Sequence, residues 1–84
     1  MKILKFYADW CAPCKVMAKK LEGFDACETV SVDVDSDEGE VLTEKLKIKN
    51  LPTMVLVDDE EKELQRWSGL VDINKVKETV KSFS

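Results

Sequence analysis

The sequence predicts an α/β domain with the element order β-α-β-α-β-β-α, a four-stranded mixed sheet with helices on both faces. Three observations predict it. Short segments rich in β-branched and aromatic residues, one of them strictly alternating, are interleaved with segments whose apolar residues recur at three and four. The first two strand segments are joined through a helix, so they run parallel with a right-handed crossover. The last two are separated by a short segment with the acidic stretch Asp58-Asp59-Glu60-Glu61, which reads as the turn of an antiparallel hairpin.

Taken in order, Ile3 to Ala8 is a strand rich in β-branched and aromatic residues. Cys11 to Glu22 is a helix: Cys14, Met17, Ala18 and Leu21 share one face, Pro13 sits in the first turn where its missing N–H costs nothing, and Gly23 supplies the stop. Thr29 to Asp35 alternates Val30, Val32 and Val34 with Ser31, Asp33 and Asp35, a strand with one dry and one wet face. A second helix runs from Asp37 to about Lys47, with Asp37 as cap, Glu40 three residues on, and Val41, Leu42 and Leu46 as its apolar stripe. Thr53 to Val57 is a buried strand and Glu63 to Trp67 its hairpin partner, with Trp67 packing on the sheet. The last helix follows an Asp72 cap and carries Ile73, Val76, Val80 and Phe83 on one side.

The chain has 84 residues, so residues 1–84 are read as one domain. Hydrophobic residues make up 44% and charged residues 36%, enough apolar content to exclude disorder of the whole chain. A net charge of −4 argues against nucleic-acid binding, which needs a basic face. With no histidine, Ser-His-Asp and Cys-His catalysis and histidine metal ligation are excluded. No apolar run is long enough to cross a bilayer and the first residues show no signal-peptide pattern, so a cytoplasmic protein with no membrane partner is expected.

Chemistry concentrates in Trp10-Cys11-Ala12-Pro13-Cys14, where a strand becomes a helix. Two residues between cysteines on a first helical turn bring the sulfurs within bonding reach. At the helix start, unpaired N–H groups and the positive end of the dipole favour a thiolate on Cys11, while Cys14, one turn further in, is expected to be the more buried. The spacing alone also suits half of a zinc site. Such a site needs four ligands, and only Cys27 remains to join the pair, which argues against zinc and against an iron–sulfur cluster.

At these residues the chain resembles the thioredoxin family. The match is Phe6-Tyr7-Ala8-Asp9-Trp10-Cys11-Ala12-Pro13-Cys14-Lys15, then Leu51-Pro52-Thr53 opening a strand, then Ser68-Gly69 after the hairpin, three pieces in family order that span nearly the whole chain. The resemblance implies a thioredoxin-like fold and a thiol–disulfide oxidoreductase that reduces protein disulfides, with Cys11 as nucleophile and Cys14 as resolving cysteine. A first cysteine of lowered pKa is a property of that family and gains no independent weight here. The resemblance also implies substrate-facing roles for Trp10, Ala12, Pro13, Leu51, Pro52, Thr53 and Gly69, with Pro52 cis and the Leu51 backbone open to a substrate peptide. No metal and no cofactor are expected. The implied partners are disulfide-containing proteins and, as electron source, a thioredoxin reductase-type flavoprotein or small thiols, acting on a monomer.

Several positions depart from the family pattern. Family members usually begin with a further strand and helix; this chain starts at what would be their second strand, and the segment at Val30 is then expected to be a sheet edge, protected by Asp33 and Asp35. Lys5 stands where the family carries a buried aspartate beneath the dithiol, so no general base is assigned there. Lys5 and Asp9 are instead modulators of the thiols. Lys19 replaces a kinking proline and Ala12 a glycine. Cys27 reads as an ordinary small residue. The alternatives are a glutaredoxin-like, glutathione-dependent reductase, for which Leu51-Pro52-Thr53 and a single glycine fit less well, and a thioredoxin-fold binding subunit whose dithiol is incidental.

Overall fold

The strand that leads the chain lies inside the sheet. In a computed structural model describing residues 1–84, β1 (Lys2–Tyr7) pairs parallel with β2 (Glu28–Asp33) and antiparallel with β3 (Thr53–Val57). β4 (Glu63–Ser68) pairs antiparallel with β3, giving the order β2-β1-β3-β4. The burial pattern follows from that order. The central β3 is buried at every position, while the outer β2 and β4 keep exposed residues.

Successive side chains of a strand point to opposite faces, and here each face has its own cover. Ile3, Met54 and Leu56 pack with Met17 and Leu21 of the α1 segment and with Val76 and Val80 of α3, where α1 is Ala12–Lys20 and α3 is Ile73–Phe83. Leu4, Phe6, Val32, Val55 and Val57 occupy the opposite face, covered by Leu42 of α2 (Asp37–Lys45) and by Leu46. The four-stranded mixed sheet with helices on both faces is the architecture the sequence predicts, with most boundaries displaced by one or two residues.

Four details differ from the sequence expectation. The cap of α2 is Ser36, whose Oγ accepts from the Gly39 N–H at 3.0 Å; Asp37 is already helical. Val41 is exposed, because nothing packs outside that side of α2, and Phe83 is exposed at the end of α3. Asp35 lies beyond β2 in a turn, not on the wet face of the strand. That turn is built by Asp33, whose Oδ1 accepts from the Asp35 N–H at 2.9 Å and whose carbonyl accepts from the Ser36 N–H and hydroxyl.

The end of α2 is held from across the molecule. Arg66 donates to the Leu46 carbonyl at 2.8 Å while its guanidinium engages both carboxylate oxygens of Glu63, at 2.7 and 2.9 Å. It thereby satisfies a carbonyl that the helix leaves unpaired. Those guanidinium bonds hold the Glu63 carboxyl below its ordinary pKa. Arg66→Ala is expected to cost about 1 kcal/mol, since the ion pair is partly solvent-screened, and to lower the melting midpoint by about 4–8 °C. Because the folded pKa of Glu63 is depressed, its share of that stability is present above the ordinary glutamate value near ~4.3 and is lost as pH falls through the folded value. The gap between parent and variant, followed by thermal melts, should narrow in acid and should not close, because the bond to Leu46 does not titrate.

Candidate functional site

The site forms where β1 hands the chain to α1. The Cys11 N–H donates to the Ala8 carbonyl at 3.1 Å, which turns the backbone and leaves Cys11 as the N-cap of the helix. Its Sγ accepts from the Cys14 N–H at 3.3 Å, the interaction a capping oxygen makes in other helices. Pro13 falls in the first turn, as predicted, where the helix needs no donor from it. Cys11 and Cys14 are joined in a disulfide with Cα atoms 5.3 Å apart. In the reduced form the same N–H and helix terminus stabilise negative charge on the Cys11 sulfur.

Cys14 is the more buried of the two, as expected, but only by a margin too small to separate them. Both are almost fully buried in the disulfide, at 6% and 5% exposure, within a small cluster with Ala8. What separates them is the space each one faces. Cys11 lines an open groove of about 560 Å³ with Trp10, Ala12, Pro13, Asn50 and Leu51. Cys14 lines a different cavity, about 270 Å³ and mostly apolar, whose walls include Lys5, Asp9, Met17, Pro52 and Thr53. The disulfide therefore divides a groove from a cavity.

The loop before β3 closes the site from the other side. The Leu51–Pro52 peptide is cis, as the resemblance implies. The Pro52 carbonyl accepts from the Gly69 N–H at 2.8 Å, and the Thr53 hydroxyl donates to the Asn50 carbonyl. Gly69 has φ +76°, a conformation that favours glycine, while a Cβ there would meet nothing within 4 Å. The position therefore requires glycine for its backbone geometry, which ties the end of β4 to Pro52.

Trp10 is the most exposed of the large apolar side chains, at 71%, yet it is held: its Nε1–H donates to Asp35 Oδ2 at 3.0 Å. Asp35 is a site residue that the sequence reading missed. The Asp33-x-Asp35-Ser36 turn is a local signal, but its contact with Trp10 joins residues 25 apart and leaves no mark in either segment. Val34 and Thr43 reach the groove through packing as well, whereas Ile48 and Lys49 could have been found by their adjacency to Leu51-Pro52. Asp9 is exposed at the rim of the Cys14 cavity, and Lys5 is half-buried in it.

Cys27 stands apart. It packs half-buried against the core face that holds Ile3 and Met17, and burial pushes its thiol pKa up, so it is a weak nucleophile at neutral pH. No group of three or more His, Cys, Asp or Glu side chains is placed to hold a metal ion, and no helix is long and apolar enough to cross a membrane.

Comparison with known proteins bears on this geometry. The family model described as Thioredoxin matches residues 1–82. Thioredoxin-1 of Drosophila yakuba is 37% identical over 70 residues, which is 80% of this chain and 64% of that protein. The chloroplastic thioredoxin-like protein CITRX2 of Nicotiana benthamiana is 30% identical over 82 residues, 93% of this chain and 45% of that protein. The chain thus spans about two thirds or less of these curated relatives. Among solved structures, Fasciola hepatica thioredoxin superposes with a TM-score of 0.80 at 32% identity, covering 99% of this chain and 80% of that one. Thioredoxin 1 of Thermosipho africanus superposes with a TM-score of 0.76 at 26% identity, covering 99% and 93%.

Proposed function

The chain belongs to the thioredoxin family, and on that footing we propose that it is a thiol–disulfide oxidoreductase reducing protein disulfides through Cys11 and Cys14. The observation that carries this is the disulfide itself, capping α1 beside cis-Pro52 with its Cys11 side open to a groove. In the reduced protein the Cys11 thiolate attacks a substrate disulfide. One substrate sulfur leaves as a thiolate and takes up a proton, and Cys11 is joined to the other. Cys14 then loses its proton and attacks the Cys11 sulfur, so the second substrate sulfur leaves as a thiolate and is protonated in turn. Two electrons and two protons pass to the substrate and the Cys11–Cys14 disulfide is restored.

The groove explains how a folded protein reaches sulfurs that are nearly buried. Trp10, Ile48, Lys49, Asn50 and Leu51 line the groove with Cys11, and on this reading an extended substrate segment lies along Leu51. Reduction is the expected direction in a reducing, cytoplasmic setting, with a flavoprotein reductase or small thiols returning the electrons. The test is reduction of a disulfide-bonded protein substrate with dithiothreitol as donor. A rate well above that of dithiothreitol alone supports the proposal, and an unchanged rate overturns it. Replacing dithiothreitol by a thioredoxin reductase or by glutathione then identifies the electron source.

A further inference from the structure

The proposed reaction asks something of Cys14 that nothing at the helix terminus supplies. To resolve the mixed disulfide it must attack as a thiolate, yet it is buried in an apolar cluster, where desolvation opposes ionisation. The hydrogen bond and helix terminus that favour charge act on the sulfur of Cys11. The cavity on the Cys14 side offers another source. Three charged side chains line it: Lys5 from β1, Asp9 from the following loop and Lys15 from α1. Asp9 and Lys15 are exposed and screened by water, while Lys5 is half-buried and forms no ion pair or hydrogen bond. Tyr7 is the remaining polar side chain of β1 on the cavity wall. The residues directly opposite Lys5 are Ser31 on β2 and Met54 on β3, neither of them charged; the carboxylate next along β2, Asp33, sits opposite Tyr7 and does not line the cavity.

We propose that Lys5 is a positioning residue for the resolving step, the cation that supports the Cys14 thiolate from within the apolar cavity they share. It rests on the oxidoreductase function proposed above and adds the source of Cys14 activation. The chemistry is unchanged: Cys14 gives its proton to solvent, its thiolate bonds to Cys11, and the substrate sulfur leaves with the electron pair. Lys5 forms no bond and holds no proton in transit; its charge lowers the cost of the anion.

The experiment is a stopped-flow reaction of the reduced protein with an excess of an aromatic disulfide whose thiolate absorbs visible light, in a Cys27→Ser background. The first equivalent of coloured thiolate reports attack by Cys11, and the second reports resolution by Cys14. With Lys5→Met the pH midpoint of the second phase should rise by about one unit or more, as loss of an opposite charge nearby predicts. At pH 7 that phase should slow by about threefold for each unit, because a tenfold loss of thiolate is partly offset by the greater nucleophilicity of a more basic thiol. Above both midpoints the variant should match or overtake the parent, a crossover that a merely structural defect does not produce. Lys5→Arg should restore the parental profile, and Lys5→Gln repeats the test should Lys5→Met fold poorly. An unmoved midpoint in the neutral variants, with the parent resolving normally, overturns the role of Lys5 alone. A parent that shows no second phase overturns the oxidoreductase function itself.

Discussion

Cys14→Ser should leave substrate covalently attached. The serine cannot reopen the bond between Cys11 and a substrate sulfur, so a protein disulfide offered to this variant ends as a stable adduct, resolved by nonreducing electrophoresis and released by dithiothreitol. Turnover should fall by three orders of magnitude or more, on the order of what removing a covalent participant costs in other enzymes. Cys11→Ser should fall as far and trap nothing, because Cys14 faces the cavity and not the groove. That contrast is what makes the pair of variants decisive. Two cysteines of near-equal burial differ here only in their surroundings, so equal trapping by both variants would show that either sulfur can meet substrate and would remove the division drawn between groove and cavity.

Gly39→Ala should be the most destabilising conservative change in the fold, against the usual rule. Alanine in place of glycine ordinarily stabilises a helix by about 1 kcal/mol. At Gly39 the added methyl would stand 1.7 Å from the Asp33 carbonyl oxygen and 2.8 Å from Ser36 Oγ. Both are fixed, since the Asp33 carbonyl accepts from Ser36 and Ser36 Oγ accepts from the Gly39 N–H. The start of α2 must move away from β2, an overpacking cost of about 2–3 kcal/mol or more, which lowers the melting midpoint by roughly 10–20 °C. The same turn carries Asp35, so the hold on Trp10 should loosen and activity should fall with stability. Gly23→Ala is the control. It has φ +76° but nothing within 4 Å of a Cβ, and should cost only about 1 kcal/mol. A Gly39→Ala protein as stable as its parent would mean that the approach of α2 to β2 is not tight in solution.

How much of this was legible in the sequence depended on whether the cause was local. Val30 and Val32 announce a strand because alternation is a property of neighbours, although the pattern runs on to Val34 in the turn beyond, and Thr53 to Val57 announces a buried strand as a short unbroken run before an acidic turn. Cys11 and Cys14 were legible because spacing and a helix start lie within a few residues of each other. Ser36 as cap of α2 was hidden behind Asp37, an equally good capping residue one place later; the geometry of the Asp33 turn decided between them. The exposure of Val41 and Phe83 could not be read from periodicity, which marks a face as apolar without showing that anything covers it. The Trp10–Asp35 bond, the clamp of Arg66 on Leu46 and the separate spaces beside the two cysteines join distant segments and appear only once the sheet order is known.

The place of β1 inside the sheet has a consequence for how the molecule comes to be. This strand precedes everything it pairs with, and its partners arrive at intervals: β2 about 25 residues later and β3 about 50. A β1-α1-β2 unit closes a short loop and can form first, at modest entropic cost. On its own, however, it covers Ile3 only from the side of Met17 and Leu21 and leaves Phe6 without the α2 cover of the opposite face. Val76 and Val80, which seal the Ile3 side, come from the last helix in the chain. Early and late segments therefore share one core cluster, contacts of long sequence separation that slow folding, and the cluster closes only when nearly all of the chain is present. Until then the half-formed sheet exposes apolar strand surface, the interval in which it is most open to aggregation and to capture by chaperones.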